Sequence, residues 1–239
     1  MRFRVALRVL LITSMPCLML WLGCGGSSSS NSNSNSAQLR VIHGMPQMGA
    51  VDVMLDGSST LFFQALSYEQ STGYQSVTAA QHTVVVVPSG SANTLLSTPF
   101  TAASGSSYTI VDSGFSSGVS NLSAVVLTDD LASPGSGNFK IRAVNASPSG
   151  GTLDVYITAP GADLTTISPN AANLGFLSAS SYLSLAAGSY QIRMTVAGSK
   201  TVEIDTGTVG FSAGQIRTVM ALDSPGGGSP GALIYFDLN

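Results

Sequence analysis

One segment of this chain occurs twice, and that duplication limits the fold more than any other feature. Leu39 to Leu55 aligns without a gap on Ile141 to Ile157, at an offset of 102. Arg40 meets Arg142, Pro46 meets Pro148, Asp52 meets Asp154 and Val53 meets Val155. Further on, Leu66 and Tyr74 meet Leu174 and Tyr182 at an offset of 108, and Val125 to Asp129 meets Leu233 to Asp237. The second copy therefore carries six extra residues, around Pro160 to Ala172. Matches at the start, middle and end define one domain duplicated. The copies are expected at 37–132 and 139–239, with a Ser/Pro/Gly linker at 133–138.

Each copy reads as strands. Val51, Val53 and Leu55 alternate with Asp52 and Met54, and Leu153, Val155 and Ile157 alternate with Asp154 and Tyr156. A period of two marks a strand with one buried face. His82 to Val87 and Tyr190 to Val196 are β-branched or alternating, and Ser107 to Val111 and Gln215 to Met220 follow Gly-containing turns. No window of helical length beyond the amino terminus shows a 3.6-residue period. Several short strands per roughly 100 residues, punctuated by Gly, Pro and Ser, predict an all-β chain: two tandem, immunoglobulin-like, antiparallel β-sandwiches. The chain lacks the Cys pair and core Trp of antibody domains, since its one Trp is Trp21.

The amino terminus has a different character. Met1 to Arg8 is basic and Val9 to Leu22 is apolar. About 14 residues suit the core of an export signal and fall short of the roughly 20 needed to span a bilayer. Leu20-Trp21-Leu22-Gly23-Cys24 follows. This resembles the lipobox of bacterial lipoprotein signal peptides, with Gly23 and Cys24 matching and Trp21 standing where Leu is usual. The resemblance implies a signal peptide at 1–23, cleavage after Gly23, and lipidation of Cys24. Gly25 to Ser36 holds only Gly, Ser and Asn, so 24–36 is expected to be a flexible, lipid-anchored tether. The implied location is the outer membrane of a Gram-negative cell, since Gly25 and not Asp follows the Cys; otherwise it is the outer face of the cell membrane.

Charge and chemistry narrow the function. Charged residues make up 9% of the chain, against about 25% in an ordinary domain. Without Arg2, Arg4 and Arg8 the chain keeps six Lys/Arg against twelve Asp/Glu, a net charge of −6. Nucleic-acid binding lacks its basic footprint. Cys17 and Cys24 are the only cysteines, so the repeats contain no disulfide and no Cys-based zinc site. No cofactor is expected.

The repeated residues Arg-Val-Ile-His-Gly-Met-Pro from Arg40, Val-Asp-Val-Met-Leu-Asp-Gly from Val51, and the better-matching Arg-Ala-Val-Asn-Ala-Ser-Pro from Arg142 carry a second resemblance. They resemble the bacterial domain-of-unknown-function family 4397, over nearly all of residues 38–239. Gly44-Met45 departs from the Ala-Ser that the pattern prefers. The resemblance implies a β-sandwich and an exported, surface-anchored setting, and it brings no activity.

Candidate sites are few. Arg40 with Asp52, and Arg142 with Asp154, are expected as structural cross-strand ion pairs with a separation of about 4 Å or less. His43 follows a strand and is replaced by Asn145, which suits a side chain bonded to loop backbone. Tyr74 and Tyr182 are expected to fill the sandwich edge. Gly114-Phe-Ser-Ser-Gly118 spells a nucleophile elbow, but in a turn between strands and without a His partner in sequence. Asp129 and Asp130 do not form a calcium loop. The sequence thus points to a non-enzymatic, lipid-anchored envelope protein of structural or adhesive type, held to the membrane through Cys24. A carbohydrate- or peptide-binding module using sandwich loops is the alternative, and a serine hydrolase the least favoured reading.

Overall fold

The computed structural model describes residues 35–58, 60–115, 121–225 and 228–238. Cys24, Gly23 and most of the expected tether lie outside them.

The first repeat contains β1 (Ser36–Gly44), β2 (Val51–Leu55), β3 (Leu61–Leu66), β4 (Gln75–Thr78), β5 (Gln81–Pro88), β6 (Leu96–Thr101), β7 (Ser107–Ser113) and β8 (Ser123–Asp129). The second contains β9 (Asn138–Asn145), β10 (Leu153–Thr158), β11 (Ala171–Leu174), β12 (Ser178–Ala179), β13 (Leu183–Ala186), β14 (Gly188–Val196), β15 (Val202–Phe211), β16 (Ile216–Leu222) and β17 (Gly231–Leu238). The extra residues of the second copy carry a single 3-10 turn, Leu164–Thr166, capped by the Asp163 carboxylate.

Each repeat is a two-sheet sandwich. One pair of sheets has the orders β3-β2-β5-β6 and β11-β10-β14-β15, and we term these the outer sheets. The other has the orders β4-β1-β7-β8 and β12-β9-β16-β17, with β13 also on β9; these are the inner sheets. The pairing is antiparallel apart from β1 with β7 and β9 with β16, which run parallel. The expected antiparallel sandwiches are thus present, each with one parallel pair in its inner sheet. The first strand lies beside the seventh, a long-range pairing that local turn signals cannot announce. β1 also begins at Ser36, paired with Thr78, inside the segment expected as tether, and β9 begins at Asn138, paired with Ala186, inside the expected linker.

The two sandwich cores are built from alternate residues of both sheets. Leu39, Val41, Val53, Val84 and Ile110 fill the first, and Phe139, Ile141, Val155, Ile192 and Val219 the second. Phe139 and Phe211 stack in the second core with centroids 4.3 Å apart. The other faces of the inner sheets are not solvated. Ile42, Val111 and Leu127 of the first repeat pack against Val144, Met220, Leu222 and Tyr235 of the second. The molecule is therefore four sheets deep, with a third apolar layer where the inner sheets meet. That is why β7 and β16 are buried along almost their whole length.

Candidate functional site

The polar residues of the inner sheets explain how the repeats join. Arg40 lies on β1 and Arg142 on β9, both facing the seam. Arg40 Nη2 pairs with Asp237 Oδ1 of the second repeat, and Arg142 Nη2 with Asp129 Oδ1 of the first. Arg40 Nε donates to Thr109 Oγ1 at 2.7 Å, and that hydroxyl donates to Asp129 Oδ2 at 2.6 Å. Arg142 Nε donates to Thr218 Oγ1 at 2.9 Å, and Thr218 donates to Asp237 Oδ2 at 2.7 Å. The six side chains form a closed ring with pseudo-two-fold symmetry: two guanidinium groups, two carboxylates and two hydroxyls, neutral overall. Tyr74 and Tyr182 seal it. Each lies under a guanidinium, at 4.9 and 4.8 Å, and each donates to a ring carboxylate. Burial pushes both phenols well above their usual range. Burial also works to lower the Arg40 pKa, yet Asp237, Tyr74 and Asp129 raise it on balance.

The expected Arg40–Asp52 and Arg142–Asp154 pairs are corrected by this arrangement. Asp52 lies on an outer sheet, whereas Arg40 points to the seam. The Asp52 carboxylate accepts from the Ala65 N–H at 2.7 Å, the Ser89 hydroxyl at 3.0 Å and the Gly90 N–H at 3.0 Å. Asp154 accepts from the Asn173 and Gly198 N–H groups, both at 2.8 Å. Ala65 and Asn173 hold left-handed conformations where the β2–β3 and β10–β11 registers slip. The repeated Asp thus satisfies a β-bulge and the next turn, and these bonds hold Asp52 below the usual carboxylate range.

His43 and Asn145 do bond loop backbone. His43 Nε2 lies 3.1 Å from Gly49 O, and Asn145 Nδ2 donates to the equivalent Gly151 O at 2.8 Å. His43 Nδ1 lies 3.0 Å from the buried Asp112 carboxylate. His82 bridges Asp56 at 2.7 Å and Thr78 O at 2.8 Å. Both imidazoles thus have both nitrogens engaged. Of the elbow-like segment, Gly114 and Phe115 are described and Ser116 to Gly118 lie outside the described residues. Among the described residues, no three His, Cys, Asp or Glu gather to hold a metal ion.

Among the described residues, the docking of the repeats creates a concavity of about 750 Å³. One wall is the Glu69 to Gly73 segment of the first repeat; the other is the β15 and β17 edges of the second, with Gln215 and Arg217. The first wall is held firmly. Glu69, at φ 66°, donates its N–H to His43 O at 2.9 Å, while its carbonyl accepts from Tyr235 at 3.1 Å. Tyr68 donates to Asp223 O across the seam. On the second wall Phe236 is 60% exposed, the most open large apolar side chain among the described residues. The Arg217 guanidinium lies 4.2 Å from the centre of its ring. Arg217 Nη1 donates to the Ile216 and Leu238 carbonyls, at 2.9 and 2.8 Å. Unlike Arg40 and Arg142, it has no carboxylate in contact among the described residues. Burial pushes its pKa down to about 10, with Asp237 offsetting only part of that.

Sequence reasoning missed this site because it followed what the copies share. Phe236 aligns on Thr128, and Arg217 occupies the register position of Tyr108. The available signal was an aromatic residue in the last strand where the other copy has a polar one.

The fold and seam define a class: a tandem β-sandwich protein whose two repeats dock through their inner sheets. The chain belongs to the family described as Domain of unknown function (DUF4397), which matches residues 37–156 and 158–239. No curated protein matches it. Among solved structures, it is similar to the Bacillus anthracis TIE protein at 7% identity and TM-score 0.27, over 83% of this chain and 34% of that one. The chain thus spans about a third of that protein. It is similar to the family 41 carbohydrate-binding modules of streptococcal virulence factors, described for α-glucan recognition, at 12% identity and TM-score 0.28, over 82% of this chain and 96% of that one. A family 26 module from Eubacterium rectale Amy13K, solved with maltoheptaose, gives 9% identity and TM-score 0.25, over 85% of this chain and 98% of that one.

Proposed function

We propose that this is a lipid-anchored, non-enzymatic binding protein of the bacterial envelope, whose two repeats act as one unit and present the inter-repeat groove to a ligand. The groove carries the reading. Its volume falls in the range of ligand sites, and its walls combine an exposed aromatic face with a few polar groups. The engagement of both imidazoles in structural bonds supports a role without catalysis. Lipid on Cys24 would tie the chain to the outer membrane of a Gram-negative cell, or to the outer face of the cell membrane otherwise; more than one acyl chain makes such anchoring stable.

Two measurements test the two halves. Labelled palmitate should enter the wild-type protein and not Cys24→Ala, which should leave the membrane fraction; an unlabelled wild type overturns the anchor. On a glycan array the purified chain should give a signal that Phe236→Ala loses. An array blank for both proteins removes the binding role and leaves the structural one.

A further inference from the structure

We infer that the groove takes a carboxylated saccharide, with the ring face of Phe236 stacking on a pyranose and Arg217 pairing with a ring carboxylate. This rests on the reading of the groove as a ligand site. Three observations choose the ligand class. First, Arg217 is 3% exposed, lines the groove and, among the described residues, touches two backbone carbonyls and the Phe236 ring with no carboxylate in contact. A guanidinium that lines a groove against an aromatic ring is suited to receive a planar anion. Second, Phe236 keeps 60% of its surface open although Arg217 covers part of it, which suits the apolar face of a pyranose. Gln70 and Gln215 line the same groove and offer polar atoms to sugar hydroxyls.

Third, an extended peptide is disfavoured. A peptide adding to an edge strand needs that strand's outward carbonyls. On β17 the Phe236 carbonyl already accepts from Arg40 at 3.0 Å, and a bulge between Phe236 and Leu238 breaks the edge beyond it. A saccharide has no such requirement.

The test is titration calorimetry of the full chain with tetragalacturonate, its methyl ester and maltotetraose. The acid should bind at least tenfold more tightly than either neutral sugar. Phe236→Ala should weaken it tenfold or more. Arg217→Gln should bring the acid down to the affinity of the ester. Arg217→Lys, which keeps the charge in a buried position, should retain part of the preference and controls for loss of fold. Equal binding of acid and ester, abolished by Phe236→Ala, overturns the carboxylate assignment and leaves the groove a saccharide site. Binding unchanged in Phe236→Ala overturns the groove itself, as does no binding of any probe at millimolar concentration.

Discussion

Arg40 is almost fully buried, and the side chain it pairs with, Asp237, is wholly so. The partner lies 197 residues along the chain, in the other repeat. Such a pair is weak evidence of net stabilisation, because desolvation offsets most of the Coulomb gain. Breaking it is another matter. Arg40→Met leaves Asp237 buried without its cation, and an expected loss of about 3–5 kcal/mol follows. Arg40→Met with Asp237→Leu should recover much of that, since the uncompensated charge is gone. Urea unfolding of the four proteins gives the coupling. A parallel cycle between Arg40 and Asp52 should be additive within about 0.5 kcal/mol, because the two share no partner. Coupling in the second cycle and none in the first would restore the cross-strand pairing that the ring at the seam replaces. The sequence made Arg40 and Asp52 look like one motif because both recur at one spacing. They recur for different reasons: one faces a sister repeat, the other closes a turn.

At the level of elements, the strands themselves were legible. The period of two in β2 and β10 correctly sets Asp52 and Asp154 apart from their apolar neighbours. It does not show that those acids are covered from outside, by residues 13 to 44 positions away. Nor does alternation reveal the second burial of β1, β7, β9 and β16. Their runs, such as Val41-Ile42 and Val219-Met220-Ala221-Leu222, carry apolar residues on both faces, a pattern of sheets sandwiched on both sides. Lacking a known covering layer, that pattern reads simply as β-rich. The groove was the least legible of all, since it exists only where the copies differ and dock. The bulges offer a clean test of local backbone cost. Ala65 sits at φ 51°, where an L residue with a Cβ pays about 1–2 kcal/mol. Ala65→Gly should therefore raise stability by up to about 1 kcal/mol, less the entropy glycine loses on folding. Asn173→Gly should gain less, because Asn tolerates the left-handed region. Thermal denaturation ranks the two, and a larger gain at Asn173 contradicts the account of the bulge.

Across the whole molecule, the covalent linker and the seam compete as the agent that holds the repeats together. The linker is short, with Gly135 and Gly137 at positive φ, and Lys140 pairs with Asp130 across it at 2.7 Å. The seam is far more extensive. It has an apolar layer, a closed ring of two arginines, two aspartates and two threonines, and tyrosines from both sides bonded to opposite backbones. Its composition resembles a core divided between two bodies, as in obligate dimers. Opening it would expose Ile42, Val111, Met220 and Leu222 to water and leave buried charges unpaired, so each repeat alone should be poorly soluble and less stable. A protease site placed between Gly135 and Ser136 separates the two effects. After cleavage the halves should elute together at micromolar concentration and unfold in one transition. The same cleavage in Arg40→Glu, which sets a carboxylate against Asp237, should release them or drive them into aggregates. If the wild-type halves part on cleavage, the repeats are independent beads on a string. The groove between them could then have no fixed shape, and Phe236 would return to being one exposed side chain at the edge of a sheet.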